Sequence, residues 1–383
     1  MKTRCLALPL LLLAWTTARL AAQDQPEAGL ATIKVKTDLT DEDRNQIRAY
    51  VAKRIDAVRG TDEVAAQQAT AELRAGFDGS DAFKRAYASI CLDAIGTAAR
   101  KLDLAPATRL LTVVNTFNTI DELPVLLDAL QDDRVGVRAA AAIGLRSLRE
   151  KVVQSGKDAF QRVLAGLKEA GKKEKSRDTL KAIYAAMNYA EVSGSPDPKA
   201  NATAVLELLD ERARQYAAGD VRAMGADDAG LRVAQALAGA MDDADRKRLM
   251  GVVGTMMKSA IEQYTGGDRK LAAVRDKNAS RESIEYRNSV ERLILVGEEL
   301  LTALLKPDKA PNVNESMRKL DTTGMKNQWR DWVNLLQKSV GQDFTLNELP
   351  VAETETAETP ASDQKADKGE KPKAEKGQPS GRK

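Results

Sequence analysis

The stretch "LPVLLDALQDDRVGVRAAAAIGLRSL", residues 123–148, decides the fold class because it contains two helical apolar patterns separated by an acidic turn. The first pattern places four leucines on one helical face, namely Leu123, Leu126, Leu127 and Leu130. The "QDD" that follows turns the chain, and Asp132 or Asp133 can cap the next helix. The second pattern places four apolar residues on another face, namely Val137, Ala141, Leu145 and Leu148. The stretch therefore predicts an antiparallel helical hairpin.

The second helix of this hairpin is rich in small residues. Ala140 and Gly144 lie beside its apolar face and allow another backbone to approach closely. Neither helix can bury its apolar face alone, so the hairpin requires neighbours that stack against it.

The composition of the whole chain favours helix. Aromatic residues make up only 4% of the 383 residues, so a core must be built mainly from Ala, Leu, Val and Ile. Ala and Leu favour helix, as do the abundant Lys, Arg and Glu, and few stretches alternate apolar and polar residues over strand length. The predicted fold class is all-α.

The hairpin pattern recurs along the chain. Apolar runs similar to "VLLDAL" begin at Val125, Val163, Val205 and Leu249, at steps of 38, 42 and 44 residues. Ala-rich patterns such as "TLKAIYAAMNYA" and "LRVAQALAGAM" follow the later runs. These steps are close to the period of roughly 40–47 residues of HEAT and armadillo arrays. A degenerate repeat array or an irregular helical bundle would each produce this pattern, and we favour the array.

Residues 121–150 resemble a HEAT repeat, with an Asp at the turn, Val-Arg opening the second helix, then Ala-Ala and Leu. The positions that match are Asp132, Val137, Arg138, Ala140, Ala141 and Leu145. The resemblance implies an α-α superhelix, a HEAT-like solenoid of helical hairpins. It also implies that Asp132 and Arg138 take part in a polar ladder between adjacent repeats, and that a protein or peptide partner binds a concave helical surface.

The sequence divides into six predicted segments. They are a signal peptide (1–22), an extended lead-in (23–39), an N-terminal helical region (40–119), HEAT-like repeats (120–306), a capping helix region (307–345) and a disordered charged tail (346–383). Residues 352–383 contain no Leu, Ile, Phe, Tyr or Trp and so cannot bury a core.

The first residues indicate export. Lys2 and Arg4 precede an apolar run over residues 5–15, and small residues precede Gln23, as in a secretory signal peptide. A membrane anchor is the weaker interpretation because the run is about half the length that spans a bilayer. We therefore predict a secreted or periplasmic protein with no transmembrane segment in the mature chain.

The net charge limits the kinds of partner that the mature chain can bind, and the cysteine content limits the disulfides that it can form. The net charge of +3 comes from Lys2, Arg4 and Arg19 in the signal segment, so the mature chain is neutral and we expect no nucleic-acid partner. Cys91 is the one cysteine after cleavage, which excludes an intramolecular disulfide. A buried structural thiol is favoured, and an intermolecular bridge or a reactive thiol are the alternatives.

The segment "GMKNQWRDWVNLLQKSV" contains both tryptophans of the mature chain, Trp329 and Trp332. Its spacing places Met325, Trp329, Val333 and Leu336 along one apolar stripe. Trp often dominates binding interfaces, so Trp329 and Trp332 are candidates for a partner contact. The alternative is that this helix is a lid over the exposed end of the last repeat, and that interpretation is favoured.

The chain lacks the residues of common catalytic sites. It has no histidine, no GxxxxGK[ST] loop, no GxGxxG after a strand and no complete calcium loop, so we predict no cofactor and no bound metal. The sequence predicts an exported, non-catalytic protein-interaction scaffold. Two alternatives are a secreted all-α hydrolase that uses paired carboxylates, and an envelope tether that acts through the Lys-rich tail.

Overall fold

The computed structural model of the chain describes residues 28–265 and 280–340. These ranges contain sixteen α-helices and no strand, so the predicted all-α class is confirmed. The helices are α1 (Ala28–Lys34), α2 (Asp41–Arg59), α3 (Glu63–Ala75), α4 (Asp81–Ala99), α5 (Leu104–Val114), α6 (Leu123–Ala129), α7 (Val135–Ser147), α8 (Arg149–Gln154), α9 (Lys157–Lys173), α10 (Arg177–Met187), α11 (Pro198–Ala217), α12 (Asp227–Leu237), α13 (Asp243–Thr265), α14 (Arg281–Leu305), α15 (Val313–Arg318) and α16 (Thr322–Val340).

Side-chain caps fix where several helices begin. Thr40 and Asp43 form a capping box at the start of α2, with the Thr40 amide donating to Asp43 at 3.0 Å. Asp62, Ser80 and Asp197 accept hydrogen bonds from the first-turn amides of α3, α4 and α11. These contacts satisfy donors that a helix leaves free at its start.

The helices alternate between two layers in chain order. The first layer contains α2, α4, α6, α9, α11 and α13, and the second layer contains α3, α5, α7, α10, α12 and α14. Each first-layer helix packs against the second-layer helix that follows it, and also against the next first-layer helix. Successive second-layer helices contact one another in the same way. Every helix pair therefore shares its core with the pairs on either side.

The hairpin of residues 123–148 is the third of these pairs, α6 and α7. Leu126, Ala141 and Leu145 are fully buried, as the periodicity predicts. A Cβ added at Gly144 would lie 2.9 Å from Leu126 Cδ2 and would also collide with the Asn115 side chain. The absence of a side chain at this position therefore allows α7 to lie close to α5 and α6.

The stacking of helix pairs continues without a change at residue 120, where the sequence predicts a boundary between an N-terminal helical region and repeats. Helix α4 contacts α6, and α5 contacts α7, so the pairs before and after this position stack as the later ones do.

The predicted extended lead-in is wrong for part of its length, because Ala28–Lys34 is helical. Leu30 and Ile33 are buried, and α1 contacts α2 and α4. The Ser80 amide donates to the Lys34 carbonyl at 2.7 Å, which fixes the end of α1 against the start of α4. These tertiary contacts stabilise a helix too short to be stable by itself.

The predicted capping region contains α15 and α16, and α16 packs against α13 and α15. The predicted signal peptide and the predicted tail over residues 346–383 lie outside the described residues.

Candidate functional site

A basic cleft opens in the second layer where α10, α14 and the connection between α11 and α12 meet. Its volume is about 490 Å³. Five cationic side chains, two carboxylates and three neutral polar side chains line it, namely Lys175, Arg177, Lys181, Arg222 and Arg292, then Asp178 and Glu285, then Ser176, Asn288 and Ser289. We call it the basic cleft below.

Nearby charges only partly neutralise the basic cleft. Arg222 pairs with Asp220 at 2.6 Å, and Arg292 lies 3.5 Å from an Asp228 carboxylate oxygen. Within the described ranges, no carboxylate forms an ion pair with Lys175, Arg177 or Lys181. Glu285 lies close enough to Arg177 for the guanidinium to help Arg281 hold the pKa of that carboxyl below its ordinary value. The wall formed by α10 therefore carries positive charge that is only partly offset.

Close packing forms the floor of the cleft. Gly225 lies in a short 3-10 turn, and a Cβ at this position would lie 3.3 Å from Arg177 Cδ and would collide with Ser289. The backbone at Gly225 thus lies directly between α10 and α14. A larger residue there would separate the two walls.

A buried polar network holds this floor in place. Asp227 is fully buried at the start of α12, where it accepts hydrogen bonds from Tyr184 at 2.5 Å, from Tyr216 and, at 3.4 Å, from Arg212. Burial raises the pKa of Asp227 to about 6, although Arg212 and Tyr184 both favour the ionised carboxylate. Because the donors come from α10 and α11, the network fixes the start of α12 relative to both helices.

A second cavity of about 380 Å³ continues the basic cleft towards α15 and shares Asn288 and Arg292 with it. Arg318 and Asn314 lie at its far side, and Arg287 beside it pairs with Glu291 at 2.7 Å. The polar surface therefore runs from α10 across α14 to α15.

Exposed aliphatic side chains recur at the starts of three successive second-layer helices. Val64 in α3 is 74% exposed, Leu104 in α5 is 48% exposed and Val135 in α7 is 46% exposed. Leu104 reaches α7, since a Cβ at Gly136 would lie 2.9 Å from its Cδ1. Single exposed aliphatic residues are ordinary, but these three occupy equivalent positions, and we call them the aliphatic row.

The two residues predicted to join a repeat ladder have separate partners: Asp132 lies in the turn between α6 and α7, and Arg138 lies in the first turn of α7. Arg138 donates to the Glu174 carboxylate at 2.7 and 3.0 Å and so joins the third pair to the fourth. The Asp132 carboxylate accepts from Arg134 at 2.6 Å, and Arg134 donates to the Ala99 carbonyl at 2.8 Å in the second pair. Arg138 donates to the backbone carbonyl of Asp132 at 2.8 Å, and within the described residues no hydrogen bond or ion pair joins the two side chains.

Glu174 is the buried centre of this connection, with a side chain that is 0% exposed. Burial alone would raise its pKa, but the hydrogen bonds from Arg138 and from the Ser176 and Lys175 amides hold the pKa below its ordinary value. The ionised carboxylate therefore connects α7 with the turn between α9 and α10.

Trp329 and Trp332, the candidates for a partner contact, are only 3% and 0% exposed. The Trp332 Nε1 donates to Glu298 at 3.0 Å, and the same carboxylate accepts from the Val313 and Asn314 amides at 2.6 and 2.9 Å. Burial raises the pKa of Glu298 despite these donors. Most of the apolar stripe of α16 is buried, and the Trp332 indole contacts α14 through Glu298.

Cys91 is buried in α4, and burial raises the pKa of its thiol to about 12. The thiol therefore stays protonated at neutral pH, which matches the structural interpretation of this residue.

No group of three or more Cys, Asp or Glu side chains in residues 28–265 and 280–340 is arranged to hold a metal ion. None of the helices in these ranges has the length and apolarity needed to cross a bilayer.

A further cavity of about 680 Å³ lies between α2 and α4 in the first layer. Ile55 and Ile90 line its apolar part, and Arg48 and Arg59 line its rim. Arg59 pairs with Asp56 at 3.3 Å.

Comparison with models of known protein families, with curated proteins and with solved structures finds no match for this chain. The resemblance to a HEAT repeat therefore rests on the sequence pattern of residues 121–150. Nothing in the sequence pattern predicted the basic cleft. Its walls come from residues 175–181, 222 and 285–292, on elements far apart along the chain, so no local pattern marks it.

Proposed function

We propose that this protein is an exported, non-catalytic interaction scaffold, and that its helix pairs form a HEAT-like α-α superhelix whose second-layer helices face a protein partner. The chain-order packing of alternate helices supports this architecture, since each pair contacts mainly the pairs beside it. The Ala-rich second-layer helices and the polar contacts between successive turns are further support.

The aliphatic row is the observation that carries the proposal. Apolar side chains exposed at the same position of three neighbouring helices cost free energy in water, and a partner would remove that cost by covering them. The row and the basic cleft both lie in the second layer, so one layer supplies both apolar and charged contacts. Export is proposed from the basic and apolar pattern of residues 1–22 alone.

Site-specific photo-crosslinking in the native host tests this proposal. A photoreactive residue at Leu104 or Val135 should capture the same partner, whereas exposed first-layer positions Arg85 and Arg162 serve as matched controls. Leu104→Ser should reduce capture through Val135, because both positions would contact one surface. Equal capture at all four positions, or none at the second-layer positions, would reject the second layer as the binding surface.

A further inference from the structure

We propose that the basic cleft binds an extended acidic peptide segment of the partner. This inference rests on the proposed function and adds the chemistry of the partner to it. The positive wall of α10 supplies the first reason, since Arg177 and Lys181 project charge that no described carboxylate neutralises through an ion pair. Arginine can bind a carboxylate through two parallel hydrogen bonds.

The extent of the surface favours a chain over a small anion. The basic cleft and its neighbouring cavity share Asn288 and Arg292, and together they reach from Lys175 to Arg318. A single small anion would need donors that converge on one point, but these cations lie on α10, α14, α15 and the connection before α12. Carboxylates spaced along an extended peptide can reach several of them in turn.

The neutral and acidic residues of the cleft distinguish a peptide from a nucleic acid. Asn288 offers both a donor and an acceptor, which suit a peptide backbone. Asp178 and Glu285 can accept hydrogen bonds from peptide amides, whereas a phosphodiester backbone has no N–H group to donate to them. No aromatic side chain lines either cavity, so the stacking surface typical of single-strand binding sites is missing from this part of the described chain.

Fluorescence anisotropy on the full mature chain tests the proposal with three labelled probes of equal length: a Glu-rich peptide, its Gln counterpart and a single-stranded oligonucleotide. The Glu peptide should bind, with an affinity that falls as salt rises, and the Gln peptide should not. The double variant Arg177→Gln/Lys181→Gln should weaken binding by roughly tenfold or more, since it removes two charge-assisted contacts. Arg177→Lys keeps the charge but not the paired hydrogen bonds, so it should lose less affinity than the double variant.

The matched control is the double variant Arg85→Gln/Arg162→Gln, which removes the same charge from exposed first-layer positions. It should leave the affinity for the Glu peptide within about twofold, because salt screens exposed charges that do not contact the ligand. Circular dichroism must show that both double variants stay folded. Equal weakening by the two double variants, or binding of the Gln peptide, would overturn the proposal. An oligonucleotide that binds more tightly than the Glu peptide, and loses affinity in Arg177→Gln/Lys181→Gln, would also overturn it.

The peptide-binding experiment and the crosslinking experiment test the two proposals independently. If a partner is captured at Leu104 and Val135 while the Glu peptide does not bind, the scaffold stands and only the acidic-peptide site is rejected. If the second-layer positions capture nothing, the scaffold proposal fails whatever the peptide does.

Discussion

Replacing Arg138 by Ala removes the charged contact between the third and fourth helix pairs. The guanidinium makes two hydrogen bonds to Glu174, at 2.7 and 3.0 Å, and the carboxylate is completely buried. Leaving one member of a buried ion pair without its partner costs about 3–5 kcal/mol. Glu174 retains the Lys175 and Ser176 amides as donors, and Arg138 itself is 19% exposed. We therefore expect Arg138→Ala to lower the free energy of unfolding by about 2–3 kcal/mol.

The assay is urea denaturation of a double-mutant cycle that combines Arg138→Ala with Glu174→Gln. The interaction free energy should be on the order of 1–2 kcal/mol, because the two side chains contact each other directly. Arg100→Ala is the matched control, since Arg100 also joins two pairs through an ion pair, with Asp128 at 2.7 Å. That pair is 67% and 45% exposed, so its loss should cost about 0.5 kcal/mol or less.

Acid should remove the effect of Arg138→Ala. The pKa of Glu174 is lower in the folded protein than its ordinary value of 4.5, so the stabilisation is present above pH 4.5 and is lost as pH falls through the folded-state pKa. The reasoning is refuted if the cycle is additive at neutral pH, or if Arg138→Ala costs no more than Arg100→Ala.

Three further predictions concern single positions. The pKa of buried Glu122 is raised from 4.5 to about 7, so its contribution to stability is fully present below pH 4.5 and is lost as pH rises through 7. Glu122→Gln should flatten the dependence of unfolding free energy on pH between about 4.5 and 7, and an unchanged slope would contradict this. Trp332→Phe removes a hydrogen-bond donor to buried Glu298 and should lower the free energy of unfolding, measured in urea, by about 1–2 kcal/mol. Trp329→Phe should cost less, and the reverse order would contradict the role of the Trp332–Glu298 hydrogen bond. Gly144→Ala inserts a methyl group against Leu126 and Asn115 and should lower the free energy of unfolding by about 1–3 kcal/mol. Gly136→Ala is the control, because its methyl group meets the half-exposed Leu104 side chain and should cost less. Equal thermal denaturation midpoints for the two variants would contradict the close packing of α7.

Helical periodicity was sufficient to predict the all-α class and the faces of α6 and α7. Leu126 and Leu145 are buried because a spacing of three or four residues places side chains on one face, and this rule is local. Helix α1 could not be predicted in the same way, since its stability depends on contacts of Leu30 and Ile33 with α2 and α4.

The site was harder to predict than the fold. A stripe that contains Trp329 and Trp332 has the same periodicity whether it faces a partner or the core, and only the position of α13 and α14 decides between them. The basic cleft depends on the tertiary arrangement that brings Arg177 beside Arg292. Neither position is distinguished along the sequence from other exposed basic residues.

The most direct test of the account measures urea unfolding of chains shortened by whole helix pairs, ending after residue 241 or after residue 195. Stacking in chain order predicts that both shortened chains remain helical and unfold cooperatively, with denaturant m-values that decrease in step with the pairs removed. Loss of helical circular dichroism in both chains would show that distant helices are needed for each pair to fold, and would contradict the stacked architecture on which the proposed function depends.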